Sequence, residues 1–205
     1  HLGRVVCYKS LRPEFADDPI EQKRLLREAR VSAMLQHPNT MPTYELGRDQ
    51  KGHYYFTMKL VHGYTFREIM NYRERYDLSQ LLDIVIQVAY ALEYAHTHGV
   101  VHRDIKPANI IITETGGRLV DFGIAMDSGR TRMTALGQVP GTPAYLAPEV
   151  FTGSPAPEAL DVYALGQMLC EALSGTEAFP EQVNLGTTQR LANLMGQKVQ
   201  SGPLD

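Results

Sequence analysis

Tryptophan is missing from the 205 residues, cysteine occurs only as Cys7 and Cys170, and neither sign of charge accumulates: 20 Lys and Arg stand against 23 Asp and Glu, a net charge of −3. Two cysteines without a repeated spacing exclude a disulfide framework or a cysteine zinc site, and they are expected as buried thiols of a reducing cytoplasm. The balanced charge provides no field that would recruit nucleic acid, so no nucleic-acid partner is expected. Ile84-Val85-Ile86 is closed by Asp83 and Gln87, and no apolar run approaches a bilayer span; no membrane contact is expected from this segment. Internal repeats are lacking too. The length suffices for a sizeable core in one large domain or two small ones. The first residue is His1 rather than methionine, so the chain is expected to be part of something longer.

Chemistry concentrates in Val101-His102-Arg103-Asp104-Ile105-Lys106-Pro107-Ala108-Asn109. An acid, a lysine and a carboxamide lie within six residues. Asp104 can accept a proton, Lys106 can hold a phosphoryl oxygen and Asn109 can ligate a metal ion, all from one loop after a helix. That set points to phosphoryl transfer. Asp121-Phe122-Gly123 follows twelve residues beyond Asn109, and Ala147-Pro148-Glu149 comes later, in the order of the protein-kinase signature set. On these motifs, and on the stretch Val139-Pro140-Gly141-Thr142-Pro143-Ala144-Tyr145-Leu146 before the last of them, the chain resembles the eukaryotic-like serine/threonine protein kinases of bacteria. The resemblance implies an α+β, bilobal protein-kinase-like fold, with a partial β-rich N-lobe over residues 1–60 and a mainly helical C-lobe over 61–205, incomplete at both ends. It also implies ATP as phosphoryl donor, Mg²⁺ (or Mn²⁺) as the ion, and protein substrates with Ser or Thr acceptors as partners.

Along the chain, the run from Arg4 to Lys9 is rich enough in β-branched residues to predict a strand ending at the lysine. Asp18-Pro19 supplies an N-cap followed by proline at the first helical position, and Leu25, Leu26, Ala29, Ala33 and Met34 recur at helical spacing up to His37-Pro38. Met41 to Leu46 and His53 to Val61 predict two strands joined by a turn over residues 47–52. A short helix is expected between Tyr64 and Tyr76. Asp77-Leu78-Ser79-Gln80 forms a capping-box pattern opening a long helix, whose buried stripe is Leu81, Ile84, Val85, Val88, Leu92 and Ala95 and whose stop is Gly99. His96 and His98 are expected at the surface.

Roles follow from the resemblance. Lys9, in Val6-Cys7-Tyr8-Lys9, stands where the family lysine holds the α- and β-phosphates, and Glu28 stands where a helical glutamate aims that lysine. Met58 corresponds to the back of the adenine pocket and Lys59-Leu60-Val61 to the linker along the adenine edge. Asp104 would accept or orient the acceptor hydroxyl, Lys106 would balance charge at the γ-phosphate, and Asn109 and Asp121 would hold the metal through oxygen. His102 is assigned no chemistry and is expected beside Phe122. Asp161 is expected as scaffold, accepting bonds from the catalytic-loop backbone. Arg103 would pair with a phosphate on Thr134 or Thr131, with Ser128 also available, placed there by trans-autophosphorylation in a dimer. Thr142 is expected near Asp104 and, with Lys106, marks the serine/threonine branch.

Three departures qualify the match. Only Gly3 precedes Lys9, so the glycine-rich loop expected over the phosphates is missing from these residues; an arginine partner expected for Glu149 is not found among them, Arg190 being too early; and Lys59 replaces a commonly acidic residue. The isolated 205 residues are accordingly expected to be weakly active or inactive, and a longer parent is allowed a membrane anchor elsewhere. A pseudokinase that binds nucleotide without phosphotransfer is the alternative reading, opposed by the presence of Lys9, Glu28, Asp104, Asn109 and Asp121. A small-molecule phosphotransferase is disfavoured by the Ala147-Pro148-Glu149 segment.

Overall fold

Three strands, β1 (Val6–Ser10), β2 (Thr43–Arg48) and β3 (Tyr54–Lys59), form an antiparallel sheet in the order β1-β3-β2 in a computed structural model that describes residues 3–72, 74, 76–122, 143–152, 156–177, 179, 193–194 and 196–198. Helix α1 (Pro19–Met34) starts where expected, with the Asp18 carboxylate accepting from the Ile20 N–H at 2.7 Å and Pro19 at the first position. It packs Leu25 and Ala29 on Phe56 of β3. Residues opposite each other in an antiparallel pair share a face, so the pairs Lys9–Phe56 and Cys7–Met58 place Lys9 and Met58 on the face that meets α1.

Local detail departs from expectation in four places. Ala33 and Met34 are exposed, because the buried face of α1 is carried by Leu25 and Ala29 and continued by the half-buried Val31 and by Leu35, which lies past the helix end and is 2% exposed. Lys9 is not the last strand residue; Ser10 still pairs with Tyr55. The hairpin turn occupies residues 49–53 rather than 47–52, since the Asp49 carboxylate accepts from the backbone of Lys51 and His53, each at 2.9 Å. Gly47 stays in β2 beneath Tyr55, whose ring would meet an added Cβ at 2.7 Å.

The larger lobe is built on α3 (Leu78–Thr97), opened by the reciprocal Asp77–Gln80 capping box and followed by Gly99 at φ +70°. All six residues of the expected stripe are buried, joined by Ala91. They meet Ala164, Met168 and Ala172 of α5 (Pro157–Ser174), Phe66 and Ile69 of α2 (Phe66–Asn71), and Ile105, Ile110, Leu119 and Phe122. A second antiparallel sheet, β4 (Tyr64–Thr65), β5 (Ile110–Thr113) and β6 (Gly116–Leu119), lies against α3, and a short α4 (Glu149–Thr152) follows residues 143–147. The two lobes are laced together by residues 37–40. The Asn39 side chain donates to Gly117 O at 2.7 Å and Gln87 Oε1 at 3.2 Å, while Leu119 N–H donates to Asn39 O at 2.7 Å.

Within this frame, one carboxylate organises the loop after α3. Asp161 of α5 is fully buried and accepts from the backbone N–H groups of His102 (2.8 Å) and Arg103 (2.7 Å) and lies 2.9 Å from His96 Nε2. His96 is thus not a surface residue: it is half-buried, turned inward to supply Asp161 with a third partner, while His98 is exposed. Cys170 is exposed on α5, contrary to expectation, and Cys7 is half-buried; both are free thiols. The bonds to Asp161 hold Arg103 at φ +66°, a left-handed conformation that costs a non-glycine residue about 1 kcal/mol.

His102 is wholly buried. Its Nε2–H donates to Val120 O at 3.1 Å, which leaves Nδ1 to accept the Asp104 N–H at 3.3 Å, and its ring lies 4.8 Å from that of Phe122. Burial pushes its pKa below the usual 6.5, against the pull of Asp161. The unfolded chain therefore binds this proton more readily, so the stabilisation is complete above pH 6.5 and is lost as pH falls below it; His37, shifted the same way by burial, adds to the effect. Ring NMR should give a His102 midpoint below 6.5, and a midpoint above it would contradict the neutral assignment. Asp161→Ala should lower unfolding free energy by about 3 kcal/mol or more, read in urea at constant m-value, because buried donors lose their acceptor.

Candidate active site

Lys9 projects from β1 towards α1 and meets two carboxylates. Its Nζ lies 2.5 Å from Glu28 Oε1 and 2.6 Å from Asp121 Oδ1, and 5.9 Å from the centre of the Phe56 ring. Residues 112 positions apart in the chain are thereby joined. Burial alone would lower the Lys9 pKa, but the two carboxylates outweigh it and hold it above the usual 10.5. Glu28 is raised above 4.5, by burial first, with Lys9 pulling down and the Asp121 charge pushing further up. Both directions express one fact. A single ammonium divided between two carboxylates is over-compensated, whereas the more buried carboxylate is under-compensated.

The second group of side chains is local. Asp104 Oδ2 accepts from Lys106 Nζ at 2.7 Å and from Asn109 Nδ2 at 3.0 Å, and Asn109 Nδ2 also donates to the Asp104 carbonyl at 2.8 Å. Asn109 ends a 3₁₀ turn, Pro107–Asn109, whose proline presets the backbone. With its nitrogen committed to Asp104, the amide has its carbonyl oxygen left as the atom that could ligate a cation.

Val120 joins the two groups. Its N–H donates to Asn109 O at 2.9 Å and its C=O accepts from His102, so the residue before Asp121 is bonded on both sides to the loop over residues 102–109. Asp121 then adopts φ +56°, another left-handed non-glycine, and Phe122 turns into the core beside His102. Asp104, Lys106, Asn109, Lys9, Glu28 and Asp121 therefore sit on one bonded framework.

The remaining expected residues are placed less tightly. Met58 packs against the Leu25–Ala29–Phe56 cluster on the Lys9 face, about 7 Å along the strand from Phe56. Lys59 and Leu60 are exposed and Val61 half-buried, on the stretch leading from β3 towards β4. Arg103 is held through its backbone by Asp161. Thr131, Thr134 and Thr142, with Ser128, Gly123 and Gly141, lie outside the described residues.

Several participants carried no recognisable signal. Val120 acts through its backbone, and Asn39 and His96 act across long sequence separations. Nor did the sequence reading single out the cluster beside residues 144–147, where the Tyr145 hydroxyl donates to Glu171 Oε2 at 2.7 Å and meets Arg67 of α2, which also pairs with Glu177 at 2.8 Å. Burial and the Glu171 carboxylate raise the Tyr145 pKa, so the phenol stays a donor.

Comparison with known proteins covers the whole framework. A family model described as the protein kinase domain matches residues 1–201. Among relatives, the serine/threonine-protein kinase PknA of Mycobacterium tuberculosis is 41% identical over 183 residues, covering 87% of this chain and 42% of its own length. The probable serine/threonine-protein kinase CE0033 of Corynebacterium efficiens is 40% identical over 184 residues, covering 87% and 28%. The serine/threonine-protein kinase PknH of Mycobacterium bovis is 36% identical over 192 residues, covering 93% and 32%. The chain spans less than half the length of these curated relatives. A match running from the first strand past α5, rather than three short motifs, carries the assignment: this chain belongs to the protein kinase domain family.

Proposed function

We propose that the protein transfers the γ-phosphate of ATP to Ser or Thr hydroxyls of protein substrates, with the small lobe ending near residue 60 and the large lobe following it. The observation that carries this reading is the Val120 linkage. It joins the Lys9–Glu28–Asp121 cluster to the Asp104–Lys106–Asn109 cluster through hydrogen bonds of 2.9 and 3.1 Å.

In phosphoryl transfer the protein contributes alignment and charge compensation more than bond chemistry. Lys9, held between Glu28 and Asp121, presents a fixed ammonium for the α- and β-phosphates. Met58, Lys59, Leu60 and Val61 receive the adenine, the thioether packing on a flat base and the backbone meeting its edge. Asp104 takes the proton from the acceptor hydroxyl or orients that hydroxyl, its carboxylate aimed by Lys106 and Asn109. Lys106 offsets charge at the transferred group.

The family uses ATP with a divalent metal ion. The donor set fits such an ion: Glu28 and Asp121 share one ammonium, which leaves one negative charge uncompensated, and the Asn109 amide oxygen is the second hard donor. Mg²⁺, or Mn²⁺ in its place, would be held by Asn109 and Asp121 and would supply neutralisation of phosphate charge. Arg103 directly precedes Asp104 and is the residue to meet a phosphate placed on Thr131 or Thr134, which supports control by autophosphorylation between two copies. Thr142 completes the acceptor side of the serine/threonine branch. No described helix is long and apolar enough to cross a membrane.

Asp104→Asn, in the intact protein, should reduce radiolabelled phosphate transfer to casein by about 10²-fold or more while leaving Mg·ATP binding in place. Transfer that survives this change removes the role given to Asp104. Phosphopeptide mapping of active protein should place phosphate at Thr131 or Thr134; an unmodified segment between residues 124 and 142 would sink the regulatory part alone.

A further inference from the structure

Lys198 is a charged side chain in an unusual place. It is 2% exposed, on residues 196–198 that are helical, and its ammonium has no carboxylate within ion-pair distance among the described residues. Lysine is almost never fully buried without a paired charge, because removing an ammonium from water is costly. Here the compensation comes from backbone and ring faces. Nζ donates to Ala144 O at 2.7 Å and to Leu146 O at 2.6 Å, and it stands 4.9 Å from the Tyr163 ring centre and 4.8 Å from that of Phe179.

Those two carbonyls flank Tyr145, whose hydroxyl is held by Glu171 and Arg67. Residues 144–146 are therefore gripped twice, by the Lys198 ammonium on the backbone and by the Arg67–Glu171 pair on the side chain between. Tyr145, Leu146 and Ala147 line one cleft together with Arg103 and Asp104. The turn itself is buried, and Arg103 and Asp104 are half-buried, so an acceptor that reaches the proposed proton acceptor passes beside a wall whose position this turn sets. Its shape depends on carbonyls that would otherwise need other donors.

We propose that Lys198 is a positioning residue for the protein acceptor: by holding the carbonyls of Ala144 and Leu146 it sets the turn facing Asp104 and controls engagement of the acceptor, not of the nucleotide. The inference rests on the phosphotransfer reading above and adds to it a residue outside the motifs of the family. The environment gives it a pH signature. Burial lowers the Lys198 pKa to about 8, against Glu149 of α4 and Glu171 of α5, with the Tyr163 phenol also facing it. The side chain is charged below that pH and loses its charge above it, so the grip weakens as the solution becomes alkaline.

The test uses the intact protein with casein as acceptor, comparing wild type, Lys198→Met and Lys198→Arg. Lys198→Met should raise the casein KM about tenfold while kcat and the Mg·ATP KM stay within about twofold. Lys198→Arg, which keeps a permanent charge and can donate to both carbonyls, should restore the acceptor KM. Between about pH 7 and about pH 9 the casein KM should rise in wild type and stay level in Lys198→Arg. An unchanged casein KM in Lys198→Met, or an equal rise in both substrate KM values, would overturn the proposal. Should Lys198→Met not fold, identical pH profiles for wild type and Lys198→Arg would overturn it instead. A wild type that binds Mg·ATP but phosphorylates no protein would mean that the phosphotransfer reading itself had failed, and this inference with it.

Discussion

The structure hangs on a buried carboxylate. Asp161 has no solvent access, and it remains in the core because the backbone of His102 and Arg103 and the ring of His96 are directed onto it. Through those bonds α5 dictates the path of the loop after α3, down to the left-handed backbone at Arg103. A strained loop on the surface would relax. Anchored from beneath, it keeps Asp104 turned towards Lys106 and Asn109.

From that anchor the order passes outward through His102 and Val120. A neutral imidazole that donates at Nε2 and accepts at Nδ1 connects the loop to the strand end carrying Asp121. Asp121 then reaches the ammonium of Lys9, and Lys9 reaches Glu28. Both lobes are thus represented in one chain of polar contacts, and their apolar clusters, Leu25, Ala29 and Phe56 in the small lobe and the α3–α5 cluster in the large one, meet at the end of α1, where Leu35 joins the large-lobe cluster and Val31 packs on it. Residues 37–40 provide the other crossing, with Asn39 bonded to both α3 and β6. The charge excess at Glu28 and Asp121 is of the sign that suits a cation.

Much of the local architecture could be read directly. The capping residues Asp18 and Asp77, the proline at 19, and the six apolar positions of α3 all behave as their spacing indicates. The errors are also instructive. His96 and Cys170 lie on helices whose outer and inner faces depend on what packs there, and periodicity cannot tell that a histidine turns inward to a carboxylate 65 residues away. Gly47 reads as a turn residue until Tyr55 is seen covering it, at which point its small size is what lets that ring lie over the strand.

By itself the sequence determined which chemical groups this protein has and in what order, because Asp104, Lys106 and Asn109 are close enough in the chain for one loop to present them, and because helix caps and apolar stripes act over three or four residues. Only the tertiary structure decided that Lys9, Glu28 and Asp121 share one point, that Val120 ties them to Asp104, and that Lys198 grips the turn at 144–146. Such contacts depend on how helices and sheets pack and on which buried charges then find partners, and local preferences along the chain do not encode that geometry.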